Sequence, residues 1–307
     1  MGGSGSGSYF SSEPESLIRQ LRDSQDTTAV ESYETACNSE LFSRLSEFND
    51  RDTQAVNTHL DEITNALSKD QESLVRLTFG GSVAKRTYVE GLSDVDCLVY
   101  LDNTDLENAS PQEAKDYLEQ RLKERFPNTP ITQGRLAITV QFSDCEIQLL
   151  PAKRVGDSIR IPDQNGESWS SVRPREFAQK LTDINAANGG KVVPVVKLAK
   201  AIIANLGERQ KVTGYHAESL AVEAFENYQG SRTPKEMLVH YFKESAQRVL
   251  APIRDSTGQS VHVDEYMGAP SSLERRLAAD AFARVERRMR SADTSQNVGD
   301  WLRLFDA

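Results

Sequence analysis

Cysteine is scarce in this chain of 307 residues. Cys37, Cys97 and Cys145 lie far apart with no Cys-x-x-Cys pair, which argues against a disulfide framework or a zinc finger and for small core thiols in a reducing compartment. Histidine is nearly as rare, and His59, His216, His240 and His262 are never paired at ligand spacing. No apolar run approaches the roughly 20 residues of a membrane span, and no charged-then-apolar leader opens the chain. A cytoplasmic protein without membrane contact is the expectation. Positive charge is in deficit, with 36 Lys and Arg against 46 Asp and Glu for a net charge of −10. That balance argues against holding duplex DNA along a broad basic surface. It leaves room for a local pocket where lysines or a metal make a positive spot on an acidic body. No internal repeat or long low-complexity tract is present. Residues 1–8, Met-Gly-Gly-Ser-Gly-Ser-Gly-Ser, read as a flexible artificial linker outside the fold.

Apolar periodicity supplies the organisation. Leu41, Phe42, Leu45 and Phe48, then Val56, Leu60, Ile63 and Leu67, recur at helical spacing within a polar stretch, 9–70. Strand-like runs follow at 74–79, 95–101, 136–142 and 145–150. A helix is expected after Ser110-Pro111, where Ser caps and Pro fits the first turn, with Ala114, Tyr117, Leu118 and Leu122 on one side. Residues 153–172, rich in Gly, Ser, Asp and Pro, read as loop. Helical patterns then dominate at 175–181, 194–206, 216–228, 234–250 and 273–292. The plan is α+β: a mixed-sheet lobe and a helical lobe with a cleft between them.

The chemistry concentrates in Gly80-Gly81-Ser82, followed after eleven intervening residues by Asp94-Val95-Asp96. Strand alternation places Asp94 and Asp96 on one face, with Val95 and Cys97 on the other. Two adjacent carboxylates repel, so a fold that keeps them is expected to place a cation between them. Hard oxygen ligands with open positions suit Mg²⁺ shared with a polyphosphate. The small-residue turn offers unhindered backbone N–H groups and the Ser82 hydroxyl to the same phosphates. The alternatives are solvated carboxylates at a strand end and a plain tight turn.

These residues resemble the signature of the DNA polymerase β-like nucleotidyltransferases and, more narrowly, the bacterial cGAS/DncV-like enzymes (CD-NTases) of anti-phage operons. The narrower resemblance rests on blocks in order: Gly81-Ser82 with Lys85-Arg86-Thr87, Asp94-Val95-Asp96, Leu149-Leu150-Pro151-Ala152, Arg173-Pro174-Arg175-Glu176-Phe177, Lys197-Leu198-Ala199-Lys200, Tyr215-His216-Ala217-Glu218 and Pro252-Ile253-Arg254-Asp255. It spans roughly residues 70–270. It implies a nucleotidyltransferase core over 9–180, braced by a long N-terminal helix, and a helical domain over 181–307. It implies synthesis of a cyclic or short linear oligonucleotide second messenger from nucleoside triphosphates, which reaches a toxic effector through the product alone.

By the same resemblance, two Mg²⁺ ions (or Mn²⁺ in their place) sit on Asp94, Asp96 and a third carboxylate three residues before Pro151. That position holds Gln148. Glu146, on the same strand face, can supply the missing charge, since a Glu inside an otherwise buried strand demands a partner. Alternatively Gln148 is an inactivating substitution, or two carboxylates suffice. The resemblance also gives Gly81 and Ser82 to the phosphates, Lys200 and secondarily Lys197 to the triphosphate, and Tyr215 to base stacking. Solvated lysines and a helix-entry tyrosine are the plain alternatives. His216 and Glu218 are expected to shape the start of their helix. Trp301, Leu302, Leu304 and Phe305 suggest a docked C-terminal helix. The competing idea is a tail whose final Ala307 is conjugated by an operon-encoded regulator. The rival functions are an RNA-extending transferase and a catalytically silent nucleotide binder or scaffold.

Overall fold

The computed structural model describes residues 14–50, 53–68, 76–156, 158–163, 165–257 and 261–306, and side chains from residue 27 onward. The long brace helix is α1 (Pro14–Asn49), and α2 (Thr53–Ser68) follows it. They serve different lobes. Tyr33, Cys37, Leu41 and Leu45 of α1 enter the helical core, whereas Val56, Ile63 and Leu67 of α2 enter the sheet core. The end of α1 still meets the sheet lobe, where the Glu90 N–H donates to the Phe48 carbonyl at 3.1 Å.

The sheet lobe contains β1 (Arg76–Phe79), the short helix α3 (Gly81–Ala84), β2 (Val95–Tyr100), α4 (Pro111–Arg125), β3 (Ile131–Gln133), β4 (Ile138–Gln141), β5 (Glu146–Val155), β6 (Ser158–Pro162) and β7 (Trp169–Val172). Its path runs β1-β2-β5-β4-β3, with β6 pairing β5 and β7 pairing β6. Among the described residues only the β2–β5 pair is parallel; it sets Val95 beside Ile147 and Asp96 beside Gln148. The helix after Ser110 carries a full capping box, Ser110 accepting from the Glu113 N–H and Glu113 accepting in return.

Residues 153–172 are not a loop. β5 continues past the block ending in Ala152 and turns into a hairpin with β6, whose other edge takes β7. Pro151 fits inside this strand because the β4 partner stops opposite Leu149, so the missing N–H falls on an unpaired edge. Strand β1 starts at Arg76, and Leu74 lies outside the described residues.

The helical lobe holds α5 (Pro174–Ala187), α6 (Val192–Ala204), α7 (Gly214–Phe225), α8 (Pro234–Arg248), α9 (Leu273–Ser295) and α10 (Val298–Leu302). Helix α5 runs through the expected 180/181 boundary, and its buried Phe177 and Leu181 belong to the helical core. The lobe therefore starts at Pro174, whose ring suits a first helical turn. Trp301 is fully buried, and its Nε1–H donates to the Tyr33 hydroxyl at 3.0 Å and to Asp293 at 3.1 Å. The C-terminal pattern is thus a docked helix, α10, followed by a turn as far as Asp306, and Ala307 lies outside the described residues. Among the described residues no helix is long and apolar enough to cross a membrane.

Candidate active site

The Asp pair stands at the start of β2, beneath the turn made by Gly80, Gly81 and Ser82. The Gly80 N–H donates to the Asp96 carbonyl at 2.8 Å, and the Ser82 N–H donates to the Asp96 carboxylate. Gly81 has φ +45°, and a Cβ there would come 1.6 Å from Asp96 Oδ2. Glycine is demanded twice, by the backbone conformation and by the approach to the carboxylate. The expected turn is the first turn of α3, which delivers the Ser82 N–H to Asp96.

Glu146 and Gln148 enter from β5 on the same face. The Gln148 Nε2 donates to Asp94 Oδ2 at 2.7 Å and to Glu146 Oε1 at 3.3 Å, so a neutral amide joins the two carboxylates. Burial first, then the charges of Glu146 and Asp96, push the Asp94 carboxyl up from 3.8 to about 6. Burial also raises the Asp96 carboxyl, against the pull of Lys85 and the Ser82 N–H. This is an anionic cluster short of positive charge, and its donor set of carboxylate oxygens is what a hard divalent cation takes. The residues fit Mg²⁺. Asp94, Asp96 and Glu146 do not, however, converge on one point. Among the described residues the carboxylate, imidazole and thiol atoms that all lie within 4.8 Å of one another belong to His59, Asp144 and Cys145.

The cationic side is more buried than the helical pattern suggests. Lys200 is only 9% exposed; its ammonium donates to Glu218 Oε1 at 2.6 Å and to the Thr87 carbonyl at 3.1 Å. Glu218, 1% exposed, also pairs with Lys85 and accepts from the Thr87 hydroxyl. Burial alone would raise the Glu218 carboxyl, but the two ammonium groups outweigh it and hold it below the ordinary range. Burial pushes Lys200 down despite Glu218. Glu218 is therefore not a mere helix-start residue. It ties α6 and α7 of the helical lobe to the Lys85–Thr87 segment of the sheet lobe. Its signal was present in the sequence, since 218, 222 and 225 share one face of α7 with Val222 and Phe225 buried. Lys200 likewise follows Val196 by four residues and precedes Ile203 by three.

Lys197 is half-buried and donates to Asn49 Oδ1 at the end of α1. Tyr215 does not stand open on both faces. Its ring packs edge-on against Phe177 with centroids 4.8 Å apart, Lys85 Nζ lies 5.0 Å from the ring centroid, and the hydroxyl donates to Asp255 at 2.8 Å. Asp255, in the Pro252–Asp255 block, also accepts from the Thr257 N–H at 2.8 Å. Phe177, Thr87 and Asp255, which stand in the sequence blocks without a role of their own, carry parts of this arrangement. His216 is a buried structural residue with its Nδ1 at 2.9 Å from the Tyr266 hydroxyl.

A family model described as the Second Messenger Oligonucleotide or Dinucleotide Synthetase domain matches residues 38–185. A cyclic AMP-AMP-AMP synthase of Escherichia coli (strain MS 115-1) is 33% identical over 102 residues, 31% of this chain and 29% of that protein. A second protein of that name, from an Acinetobacter species, is 25% identical over 217 residues, 70% of this chain and 60% of its own. The chain thus matches less than two thirds of the length of either relative. Among solved structures, Escherichia coli MS115-1 CdnC with ATP aligns with TM-score 0.64 and 18% identity, covering 87% of this chain and 97% of that one. The Bradyrhizobium diazoefficiens CD-NTase CdnG with GTP gives 0.65 and 13%, covering 88% and 97%. Escherichia coli DncV bound to 3'-deoxy GTP gives 0.63 and 11%, covering 97% and 90%. At such identities the likeness is one of fold. Residues 38–185 thus match the Second Messenger Oligonucleotide or Dinucleotide Synthetase domain model, and the chain has the fold of the bacterial CD-NTases.

Proposed function

We propose that this chain is a metal-dependent nucleotidyltransferase that joins nucleoside triphosphates into a cyclic oligonucleotide for anti-phage signalling. The observation that carries this reading is the clamp of Gly80, Gly81 and Ser82 on Asp96, with Asp94 and Glu146 beside it and their charge uncompensated. The shared name of the two curated relatives favours ATP as substrate and an adenylate product.

Asp94, Asp96 and Glu146 would hold Mg²⁺. When bound, the metal supplies the charge that lowers the pKa of an attacking ribose hydroxyl and neutralises departing pyrophosphate. Ser82, beside Asp96 at the first turn of α3, binds the phosphates. Gln148 orients Asp94 and Glu146 through its amide hydrogens. Lys85, at 14% side-chain exposure against 9% for Lys200, is the lysine nearer the opening. We assign it the direct triphosphate contact and give Lys200 the task of fixing Thr87 and Glu218 behind it. Tyr215, locked by Phe177 and Asp255, offers its ring edge and remaining face to a base.

A regulator is part of the reading, because the CdnC structure solved with a HORMA protein aligns over 86% of this chain with TM-score 0.62. Gln148 at the third-carboxylate position favours one rival, a silent nucleotide binder. Incubation with labelled nucleoside triphosphates and Mg²⁺ separates them. A phosphatase-resistant product with released pyrophosphate supports the synthase. Nucleotide binding without turnover, in the presence and absence of a HORMA-type partner, supports the rival.

A further inference from the structure

We propose that His59, Asp144 and Cys145 form a second metal site, for a zinc-class divalent cation, on the side of the sheet away from Asp94 and Asp96. This site is independent of the nucleotidyl-transfer reading. The sequence keeps these residues apart, Asp144 lying 85 positions after His59. The fold brings α2 against the β4–β5 turn and places one ligand atom of each residue within 4.8 Å of the others.

Strand parity separates the site from the carboxylate cluster. Glu146 and Gln148 share one face of β5 and Ile147 lies on the other; Cys145, just before the strand, packs with Phe142 against the core that holds Ile147 and the buried residues of α2 and α4. The His59 ring is held in place: it stacks on Phe142 with centroids 3.8 Å apart and planes 13° from parallel, and Phe142 is wedged edge-on against Phe126 at 5.5 Å. The His59 Nε2 faces both Asp144 oxygens, at 2.9 and 3.2 Å. An imidazole nitrogen and a carboxylate oxygen bound to one tetrahedral zinc lie roughly 3.3 Å apart. The pair therefore already has the spacing of a ligand edge, and the thiol closes the third corner.

The donor chemistry is selective. A thiolate and an imidazole favour Zn²⁺ or Co²⁺ over Mg²⁺, which the all-oxygen cluster on the other face prefers. A neutral imidazole, a carboxylate and a thiolate together carry two negative charges, which a divalent cation neutralises, and binding releases the Cys145 thiol proton to solvent. Three protein ligands leave one position for water. The cation would fasten α2 to the turn that begins β5, the strand carrying Glu146.

The test is Co²⁺ titration of the full chain in excess Mg²⁺, followed by absorption. One equivalent of Co²⁺ should give a thiolate-to-cobalt charge-transfer band that Zn²⁺ removes. Cys145→Ser should abolish the band, and His59→Ala and Asp144→Asn should each weaken Co²⁺ binding at least about tenfold. Far-ultraviolet dichroism should show all three variants folded; the exposed Asp144→Asn serves if another variant does not fold. An Asp94→Asn/Asp96→Asn double variant should keep the band. Absence of the band, its survival in Cys145→Ser, its loss in the double variant, or undiminished affinity in both His59→Ala and Asp144→Asn would overturn the site.

Discussion

Asp94 and Asp96 differ in what holds them, and the difference is measurable. Asp96 has the Ser82 N–H and the nearby Lys85 charge, whereas Asp94 has only the neutral Gln148 amide against two neighbouring carboxylates. With its carboxyl raised to about 6, Asp94 favours the protonated folded state. Its contribution to stability is complete below the ordinary carboxylate pKa and is lost as pH rises through about 6. Metal-free melting temperature should therefore carry a decline over that interval that Asp94→Asn removes, and the Mg²⁺ needed for half-saturation should fall as pH rises through the same range. Glu146 and Gln148 divide by charge. Glu146→Gln should raise the half-saturating Mg²⁺ concentration and cut turnover far more than Gln148→Ala, and Gln148→Asp should tighten Mg²⁺ while lowering metal-free stability. Equal turnover for wild type and Glu146→Gln would remove Glu146 from the chemistry. The Asp pair was legible because alternation and the upstream glycines speak locally. The link of Gln148 to Asp94 was not, because it depends on the parallel register of β2 and β5, and no local pattern states which strands pair.

Helices α6 and α7 show why side-chain roles are harder to read than side-chain faces. The apolar stripe of α6 was plain, but a lysine at its edge reads as solvated until a partner is placed opposite, and Glu218 comes from a different helix. Removing one member of a buried, hydrogen-bonded ion pair costs about 3–5 kcal/mol. Glu218→Ala should accordingly lower unfolding free energy by about that amount in denaturant titration, with Lys200→Met also destabilising. Tyr215 carries a revision of the same kind. Stacking on a base needs only the ring, which would leave Tyr215→Phe silent. The bond from its hydroxyl to Asp255 instead predicts a loss of about 1.5–3 kcal/mol in stability for the Phe variant, as for a hydrogen bond to a charged group. A Phe variant as stable as wild type would contradict that bond. Strands β6 and β7 were missed for a reason of composition. Gly156, Gly166 and the Asp and Ser residues around them mark turns correctly, but the short strands between the turns have too few residues to show their alternation.

At the scale of the molecule, the sheet lobe and the helical lobe keep separate hydrophobic cores, and polar contacts across the cleft join them. Lys85 and Thr87 reach Glu218, and the end of α1 reaches Glu90. The mixed-sheet-plus-helical plan was legible from where strand and helical periodicities fall along the chain. Which lobe each N-terminal helix serves was not, since an apolar stripe shows which face is buried and not what that face meets. The C-terminal helix closes on α1 through Trp301 and Tyr33. Trp301→Ala should cost about 3–5 kcal/mol and loosen α1, seen as faster amide exchange around Tyr33 and Cys37. Protection there equal to wild type would argue that α10 does not hold α1. The central claim is that Asp94 and Asp96, clamped by Gly80–Ser82, make this chain an oligonucleotide cyclase. Its most direct measurement is product analysis after incubating the purified chain with labelled nucleoside triphosphates and Mg²⁺, beside the Asp94→Asn/Asp96→Asn variant. The account predicts pyrophosphate release and a phosphatase-resistant product from wild type and none from the folded double variant. Synthesis by the double variant at the wild-type rate, or products that phosphatase trims from their ends, would contradict it.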